Sequence, residues 1–181
     1  MISRTPPSVV FSYQLEMPVS IEIRDGGIDD PQVQDLLRHH LATARAETGN
    51  GSAHALEVDA LRSTDMSFWS AWEGGRLLGV GALKRLSETH GEVKSMHTDK
   101  SYRRSGVGSA LLGHIISVAS ASGIGRLSLE TGAWPYFEPA RTFYKNHGFA
   151  KCAPFADYKL DENSVFMTLD LQRVADRRSP D

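Results

Sequence analysis

The segment Tyr102-Arg103-Arg104-Ser105-Gly106-Val107-Gly108-Ser109-Ala110 is the strongest indication of how this chain folds. It stands between an alternating strand pattern that ends at Thr98 and an amphipathic helix predicted over Ser105 to Ala121. Gly106 and Gly108 allow the backbone to come close to a ligand where this helix begins. Because the first N–H groups of a helix lack carbonyl partners and carry the positive end of its dipole, this start is suited to bind a phosphate or pyrophosphate.

Two arginines border this turn. Arg103 and Arg104 add positive charge and forked hydrogen-bond donors at its rim. The pattern is neither of the common nucleotide-binding motifs, G-x-x-x-x-G-K-[ST] and G-x-G-x-x-G. From these residues alone, a plain helix start with flexible glycines and two solvated arginines is the alternative interpretation.

Upstream of the turn, the periodicity predicts an antiparallel meander. The expected elements are a strand from Val19, a helix that starts near Asp29-Asp30-Pro31 and is closed by Gly49-Asn50-Gly51, a helical turn over Leu56 to Arg62, and strands at Phe68–Trp72, Leu77–Leu86 and Glu92–Thr98. Gly79 and Gly81 keep one face of the middle strand bare. Strict alternation would place Glu92, Lys94, Met96 and Thr98 together on one face, where Glu92 and Lys94 could form a surface ion pair.

Downstream of the turn, the order strand–helix–strand implies a right-handed parallel crossover. The expected elements are the helix to Ala121, a strand at Leu127–Thr131, a helix at Glu138–Asn146, a short strand at Phe149–Cys152 and a last strand at Val165–Leu169. The predicted fold class is therefore α/β (α+β), with a mixed, mostly antiparallel twisted sheet and a parallel β-α-β crossover.

Length and composition limit the classes of function. The 181 residues predict one domain over 19–170, with a weakly ordered arm at 1–18 and a tail at 171–181. A net charge of −2 excludes a polybasic nucleic-acid binder and gives no attraction to anionic membranes. A single cysteine and the lack of zinc-type spacing give no metal site, and no apolar run approaches a membrane span. The expected compartment is the cytoplasm.

Two motifs on this chain resemble those of one enzyme family. Arg103-x-x-Gly106-x-Gly108 after the strand is similar to the acyl-CoA signature of the GNAT superfamily of N-acetyltransferases, and Ala140–Phe149 resembles its A-x-x-F-Y-x-x-x-G-F element. Three further stretches resemble the YsnE-like subgroup: Ser128–Gly132, Pro154–Tyr158 and Asn163–Met167. The resemblance covers Val19 to Leu169 and is specific for fold and cofactor, but weak for the acceptor substrate.

The resemblance implies a site for acetyl-CoA. The backbone of the turn would hold the pyrophosphate, and the end of the preceding strand would pair with the pantetheine arm, for which the two central strands must splay apart. The residues implied as cofactor-binding are Met96, His97, Thr98, Arg103, Arg104, Ser105, Gly106, Val107, Gly108, Ser109 and Tyr144. Members of this family are often dimers, so a homodimer is also expected.

The implied reaction is direct attack of an amine on the thioester carbonyl. Tyr144 matches the family tyrosine that protonates the leaving thiolate, since a phenol, whose ordinary pKa is ~10, remains protonated at neutral pH. The alternative is a core aromatic on an amphipathic helix. Glu92 is the first candidate for the general base, Glu130 the second and His97 a third. Water alone or the substrate itself stays open.

The acceptor half is predicted less sharply. Trp134, Tyr136 and Phe137 are expected at the mouth of the slot and would favour an apolar or aromatic acceptor, although they could instead cap the core. Asp157 could hold an ammonium group or be a turn residue. A small-molecule amine is the expected partner. A non-catalytic acyl-CoA sensor on the same fold is the alternative function.

Overall fold

A computed structural model describes residues 20–47 and 58–172 of this protein. The predicted arm at 1–18, the strand start at Val19, the closing turn Gly49-Asn50-Gly51 and the tail beyond Gln172 lie outside these described residues.

Three α-helices and seven strands make up the described chain. The helices are α1 (Pro31–Glu47), α2 (Val107–Ala121) and α3 (Glu138–Asn146). The strands are β1 (Glu22–Asp25), β2 (Met66–Glu73), β3 (Arg76–Arg85), β4 (His90–Thr98), β5 (Arg126–Gly132), β6 (Ala150–Lys151) and β7 (Ser164–Asp170). Short 3-10 turns lie at Val58–Arg62, Lys100–Tyr102 and Pro135–Phe137. Most boundaries agree with the periodicity to within two residues. His90 precedes the predicted strand Glu92–Thr98 but begins β4, and it lies opposite Arg126 of β5.

The strands form one sheet in the order β1-β2-β3-β4-β5-β7-β6. β1 to β4 form an antiparallel meander, and α2 then carries the chain across to β5, which lies parallel to β4. β7 inserts antiparallel between β5 and β6. The predicted fold class, a mostly antiparallel mixed sheet with one parallel crossover, is confirmed.

The two central strands separate after a short paired segment. β4 and β5 pair only at His90–Arg126, Gly91–Leu127 and Glu92–Ser128. Beyond these pairs β4 continues to Thr98 and β5 to Gly132, but the two strands no longer pair with each other. The backbone groups of both strands are therefore presented to the wedge-shaped gap between them, as in an exposed sheet edge.

A β-bulge in β4 overturns one expectation. Val80 lies opposite His97 and Ala82 opposite Lys94, so Gly81 alone faces the two residues Ser95 and Met96. Ser95 takes up a positive φ of 50°, which is unusual for a residue other than glycine.

The predicted common face for Glu92, Lys94, Met96 and Thr98 is therefore wrong. The extra residue of the bulge shifts the alternation by one position. Glu92 and Lys94 lie on the face of α1, whereas Met96 packs toward α2, where a Cβ at Gly81 would meet its Sδ at 2.7 Å.

The helices cover the two faces of the sheet. α2 packs Val107, Leu111 and Ile115 on one face, in a cluster that also contains Tyr144 of α3. α1 packs on the other face of β2 and β3 through Val33, Leu36 and Leu37. The bare face predicted at Gly79 and Gly81 is covered by α2. A Cβ at Gly79 would lie 2.8 Å from the His97 carbonyl and 3.1 Å from Val107 Cγ1.

Candidate active site

The start of α2 is built to face an anion. Gly106 caps the helix with φ 90°, and Arg104 before it has φ 66°. The Ala110 N–H donates to the Gly106 carbonyl at 2.9 Å, so the N–H groups of positions 107–109 have no carbonyl of their own helix to bind. The turn therefore directs backbone donors and the positive end of a 15-residue helix outward.

Small residues and a cross-link to α3 shape this turn. A Cβ at Gly108 would lie 3.4 Å from the ring of Phe143, so the α2 start lies against α3 with little spare room. The Ser109 hydroxyl lies 3.1 Å from Nε2 of His147, and Nδ1 of His147 lies 2.8 Å from the Phe143 carbonyl. The end of α3 thus fixes the start of α2.

A cavity of about 790 Å³ runs from this turn into the gap between β4 and β5. Of the residues predicted to bind a cofactor, its lining contains Met96, His97, Thr98, Arg103, Arg104, Gly106, Gly108, Ser109 and Tyr144. Ser105 is exposed beside the cavity and Val107 is buried in the core beneath it. The cavity joins the anion-facing turn to the splayed strands, as a ligand with a polyanionic end and an extended arm would require.

Tyr144 lies on α3 at the inner side of this cavity. Its residue is 8% exposed, and burial raises the pKa of its phenol well above the ordinary range. Phe143 and Phe149 hold its ring edge-on, with centroids 5.3 and 5.5 Å away. Within the described chain no hydrogen bond engages its hydroxyl, so a protonated phenol is available to a ligand in the cavity.

His97 stacks on a histidine of α1. Its ring centroid lies 4.5 Å from that of His40, which also lines the cavity. Burial, His40 and then Arg103 lower the pKa of His97 to about 3, and burial, His39 and Arg103 lower the pKa of His40 to about 4. Both rings are therefore neutral at pH 7, and so low a pKa makes His97 a weak base.

Glu92, Lys94 and Tyr158 form a closed triangle of hydrogen bonds. Lys94 Nζ donates to Glu92 Oε1 at 2.9 Å and to the Tyr158 hydroxyl at 2.8 Å, and that hydroxyl donates to the same Oε1 at 2.7 Å. The Glu92 and Lys94 side chains are only 4% and 10% exposed. The predicted surface ion pair is thus a buried one. Burial, followed by the adjacent Glu92 charge, raises the pKa of Tyr158.

Glu130 stands on β5 and lines the first cavity. Its Oε1 accepts a hydrogen bond from the Ser164 hydroxyl at 2.7 Å. Its charge contributes to the raised pKa of Tyr158, which places the two candidate carboxylates around the same phenol.

A second cavity of about 1080 Å³ adjoins the triangle on the face of α1. Its walls come from the 3-10 turn at 58–62, the ends of β2 and β3, and the loop between β6 and β7; they include Ala60, Lys84, Glu92, Lys94 and residues 156–162. Lys94 lines both cavities, so the two cavities adjoin at this side chain. Asp157 lies in this second cavity, apart from the aromatic residues predicted with it.

Of the aromatic residues Trp134, Tyr136 and Phe137 after β5, only the last two line a cavity. Tyr136 and Phe137 line the first cavity, and the Phe137 ring lies against Gly132. Trp134 lines neither cavity, and its carbonyl accepts Arg141 Nη1 at 3.0 Å. Arg141 also binds the Gly132 carbonyl and Glu138, which fixes the turn from β5 into α3.

Residues 20–47 and 58–172 contain neither a metal cluster nor a membrane-spanning helix. Within these ranges no group of three or more His, Cys, Asp or Glu side chains could hold a metal ion. No helix of this part of the chain is long and apolar enough to cross a membrane.

Sequence reasoning misses several residues of the site. His40, Ser95 and Phe143 line the first cavity, and Lys94 lines both this cavity and the second. Strand alternation presents Lys94 only as a surface partner of Glu92. The sequence places Tyr158 in the loop before the last strand, on the acceptor side, but does not predict its contact with Glu92, because a separation of 66 residues leaves no local pattern.

Comparison with known proteins gives consistent matches. Residues 34–149 match the Acetyltransferase (GNAT) family. The chain is 51% identical over 140 residues to the N-acetyltransferase YsnE of Bacillus subtilis, covering 77% of this chain and 93% of YsnE. It is 46% identical over 149 residues to the N-acetyltransferase YedL of Escherichia coli, covering 82% of this chain and 94% of YedL.

The fold also matches solved structures. The PaiA N-acetyltransferase of Thermoplasma acidophilum, solved in complex with coenzyme A, superposes with a TM-score of 0.64 at 19% identity. The match covers 83% of this chain and 99% of PaiA. At this identity the likeness shows a shared fold.

Proposed function

Because this chain belongs to the acetyltransferase (GNAT) family, within its YsnE-like subgroup, we propose that it transfers an acetyl group from acetyl-CoA to the amine of a small molecule. The transfer is direct, in a ternary complex in the cytoplasm. One observation carries the proposal: a single cavity links the anion-facing start of α2 to the splayed strands and to Tyr144.

The residues of the first cavity fit coenzyme A. Backbone N–H groups at 107–109 would donate hydrogen bonds to the pyrophosphate, and Arg103 and Arg104 lie at the edge of the cavity beside them. Gly108 leaves the room for close approach, because a larger side chain would fill the space beside Phe143. The unpaired edge of β4 from Val93 to Thr98 offers hydrogen bonds to the amides of a pantetheine arm. Acetyl-CoA supplies an acyl group activated as a thioester.

Tyr144 acts as the acid. The amine nitrogen bonds to the thioester carbon, the carbon–sulfur bond breaks, and the phenol gives its proton to the sulfur. Burial raises the pKa of this phenol and so keeps it protonated until the negative charge develops on sulfur. Solvent returns the proton to Tyr144 after the thiol leaves.

Glu92 acts as the base that takes the proton of the amine. It lies at the last paired position of β4, where the strands begin to separate. Glu130 is the alternative base on β5, although Ser164 already donates to its Oε1. The low pKa of His97 makes that side chain less suitable.

The acceptor amine approaches from the second cavity. Glu92, Lys94 and Asp157 line this space, and Asp157 is placed to attract an ammonium group. Tyr136 and Phe137 face the first cavity, where they contact the acyl and pantetheine end of the donor instead.

Thiol release from acetyl-CoA, measured with 1,4-diaminobutane, benzylamine, tyramine and tryptamine, tests the proposed function. The Tyr144→Phe variant is expected to lower kcat about 100-fold, while the calorimetric Kd for CoA stays within a factor of about two, because the phenol acts on the leaving group. Tyr102→Phe removes a hydroxyl outside both cavities and should keep wild-type kcat.

Two outcomes would count against this proposal. If no amine raises thiol release above hydrolysis while CoA still binds, the chain is a non-catalytic CoA-binding domain. If Glu130→Gln lowers kcat more than Glu92→Gln does, the base is Glu130.

A further inference from the structure

The loop between β6 and β7 brings Tyr158 onto Glu92 from a distant part of the chain. Its ring lies against Phe155 and Phe166, with centroid distances of 5.2 and 5.4 Å. The Tyr158 N–H donates to the Phe155 carbonyl at 3.1 Å, which closes a turn of the loop. Packing and backbone therefore hold the Tyr158 hydroxyl in place before any substrate arrives.

The two oxygens of Glu92 are treated differently. Oε1 accepts both the Tyr158 hydroxyl and the Lys94 ammonium, at 2.7 and 2.9 Å. Within the described chain no donor reaches Oε2 of Glu92. A carboxylate fixed through one oxygen presents the lone pairs of the other in a constant direction, which is the arrangement that a general base requires.

We propose that Tyr158 and Lys94 are positioning residues for the base: they hold Glu92 by Oε1, so that Oε2 takes the proton of an amine arriving through the second cavity. This inference rests on the proposed function. Tyr158 belongs to the loop that lines the second cavity, and Lys94 lines both cavities, so the two adjoin at this side chain. An amine at this junction would have Glu92 on the side of the second cavity and the thioester on the side of the first.

Lys94 has a further effect on the acceptor. A primary amine is mostly an ammonium ion at neutral pH and cannot attack a carbonyl in that form. The Lys94 charge beside Glu92 offsets the attraction of the carboxylate for a second cation, which favours release of the amine's proton. The carboxylate receives the proton, and the neutral amine remains to attack.

The titratable groups around Glu92 come from several elements. They are Lys94 and His90 on β4, Lys84 opposite Glu92 on β3, Glu130 on β5, and Tyr158 from the loop. Among the described residues, Lys94 and Tyr158 donate the hydrogen bonds to its carboxylate, so variants at these two positions change its proton affinity most directly.

The pH dependence of kcat/KM, with the most active amine of the panel above, tests the positioning role. Tyr158→Phe keeps the ring and removes one donor to the charged carboxylate, so kcat/KM should fall about tenfold and the acidic limb should move up by about one pH unit. Lys94→Met should move the same limb in the same direction. A Tyr158→Phe enzyme that loses activity with an unmoved limb would show that Tyr158 only supports the fold.

The route of the acceptor is tested by filling the second cavity. Ala60→Trp places a large ring in its wall and should raise KM for the amine at least about tenfold without changing the Kd for CoA. Ala121→Trp, at the exposed end of α2, is the matched control and should change neither.

The possible outcomes distinguish this inference from the proposed function. Wild-type turnover with an unchanged amine KM in Ala60→Trp would overturn this inference and the acceptor route through the second cavity, but not acetyl transfer itself. Absence of turnover with every amine would overturn the proposed function and the inference together.

Discussion

His40 and His97 stack at the border between α1 and the splayed strand β4, and burial keeps both rings uncharged. An unfolded histidine titrates near 6.5, whereas these fold with pKa values of about 4 and about 3. Between those values the unfolded chain binds more protons than the native one. The free energy of unfolding should therefore fall as the pH drops from about 6.5 toward 4, and this pair should contribute no pH dependence above about 7.

Urea unfolding at pH 5 and pH 7 measures this effect. His97→Phe keeps a ring against His40 but removes one titrating group, so the loss of stability between the two pH values should be smaller than in the wild type. An equal loss in both proteins would mean that His97 does not supply the pH dependence.

Among the secondary-structure elements, the start of α2 gives the sharpest prediction. Gly108→Val should weaken CoA binding at least about tenfold, because the branched side chain would stand between the backbone donors and the ligand and press on Phe143. Gly113→Val is the control in the same helix, since a Cβ there meets nothing within 4 Å. Calorimetry of CoA binding compares the two variants. Unchanged affinity in Gly108→Val would mean that the pyrophosphate lies elsewhere.

For strand β4 the sequence predicts the extent of the strand but not the face of the sheet on which its later side chains lie. Its extent is predicted nearly correctly, because alternation of side-chain polarity is a local property. The bulge at Ser95 is invisible in that pattern, since serine carries no preference for a positive φ. Packing of Met96 against α2 and of His97 against α1 decides the shift.

Across the whole molecule, the cofactor cavity spans both halves of the sheet. Only three residue pairs join β4 to β5, and the cavity draws its walls from α2, α3 and both of these strands. A ligand that fills the gap should stabilise the native state by about 2.7 kcal/mol at about 100 times its Kd. For a chain of this size, CoA should therefore raise Tm by roughly 5–10 °C.

Thermal melts with and without CoA check this value. Pantetheine, which lacks the phosphates, should give a smaller rise, and Gly108→Val should show little shift with CoA. A wild-type Tm that CoA leaves unchanged would contradict binding in the gap. The expected homodimer stays a prediction, to be checked by light scattering.

The family, the mixed sheet and the anion-facing turn can all be predicted from the linear order of residues, because a helix start with Gly106 and Gly108 is complete within one short segment. The same order places Tyr144 on the correct helix and Glu92 on the correct strand. Which groups donate hydrogen bonds to Glu92 depends on tertiary packing instead. The bulge at Ser95 reverses the strand face beyond Lys94, and Tyr158 arrives through a loop 66 residues away. Such contacts follow from how elements pack, and no local periodicity encodes them.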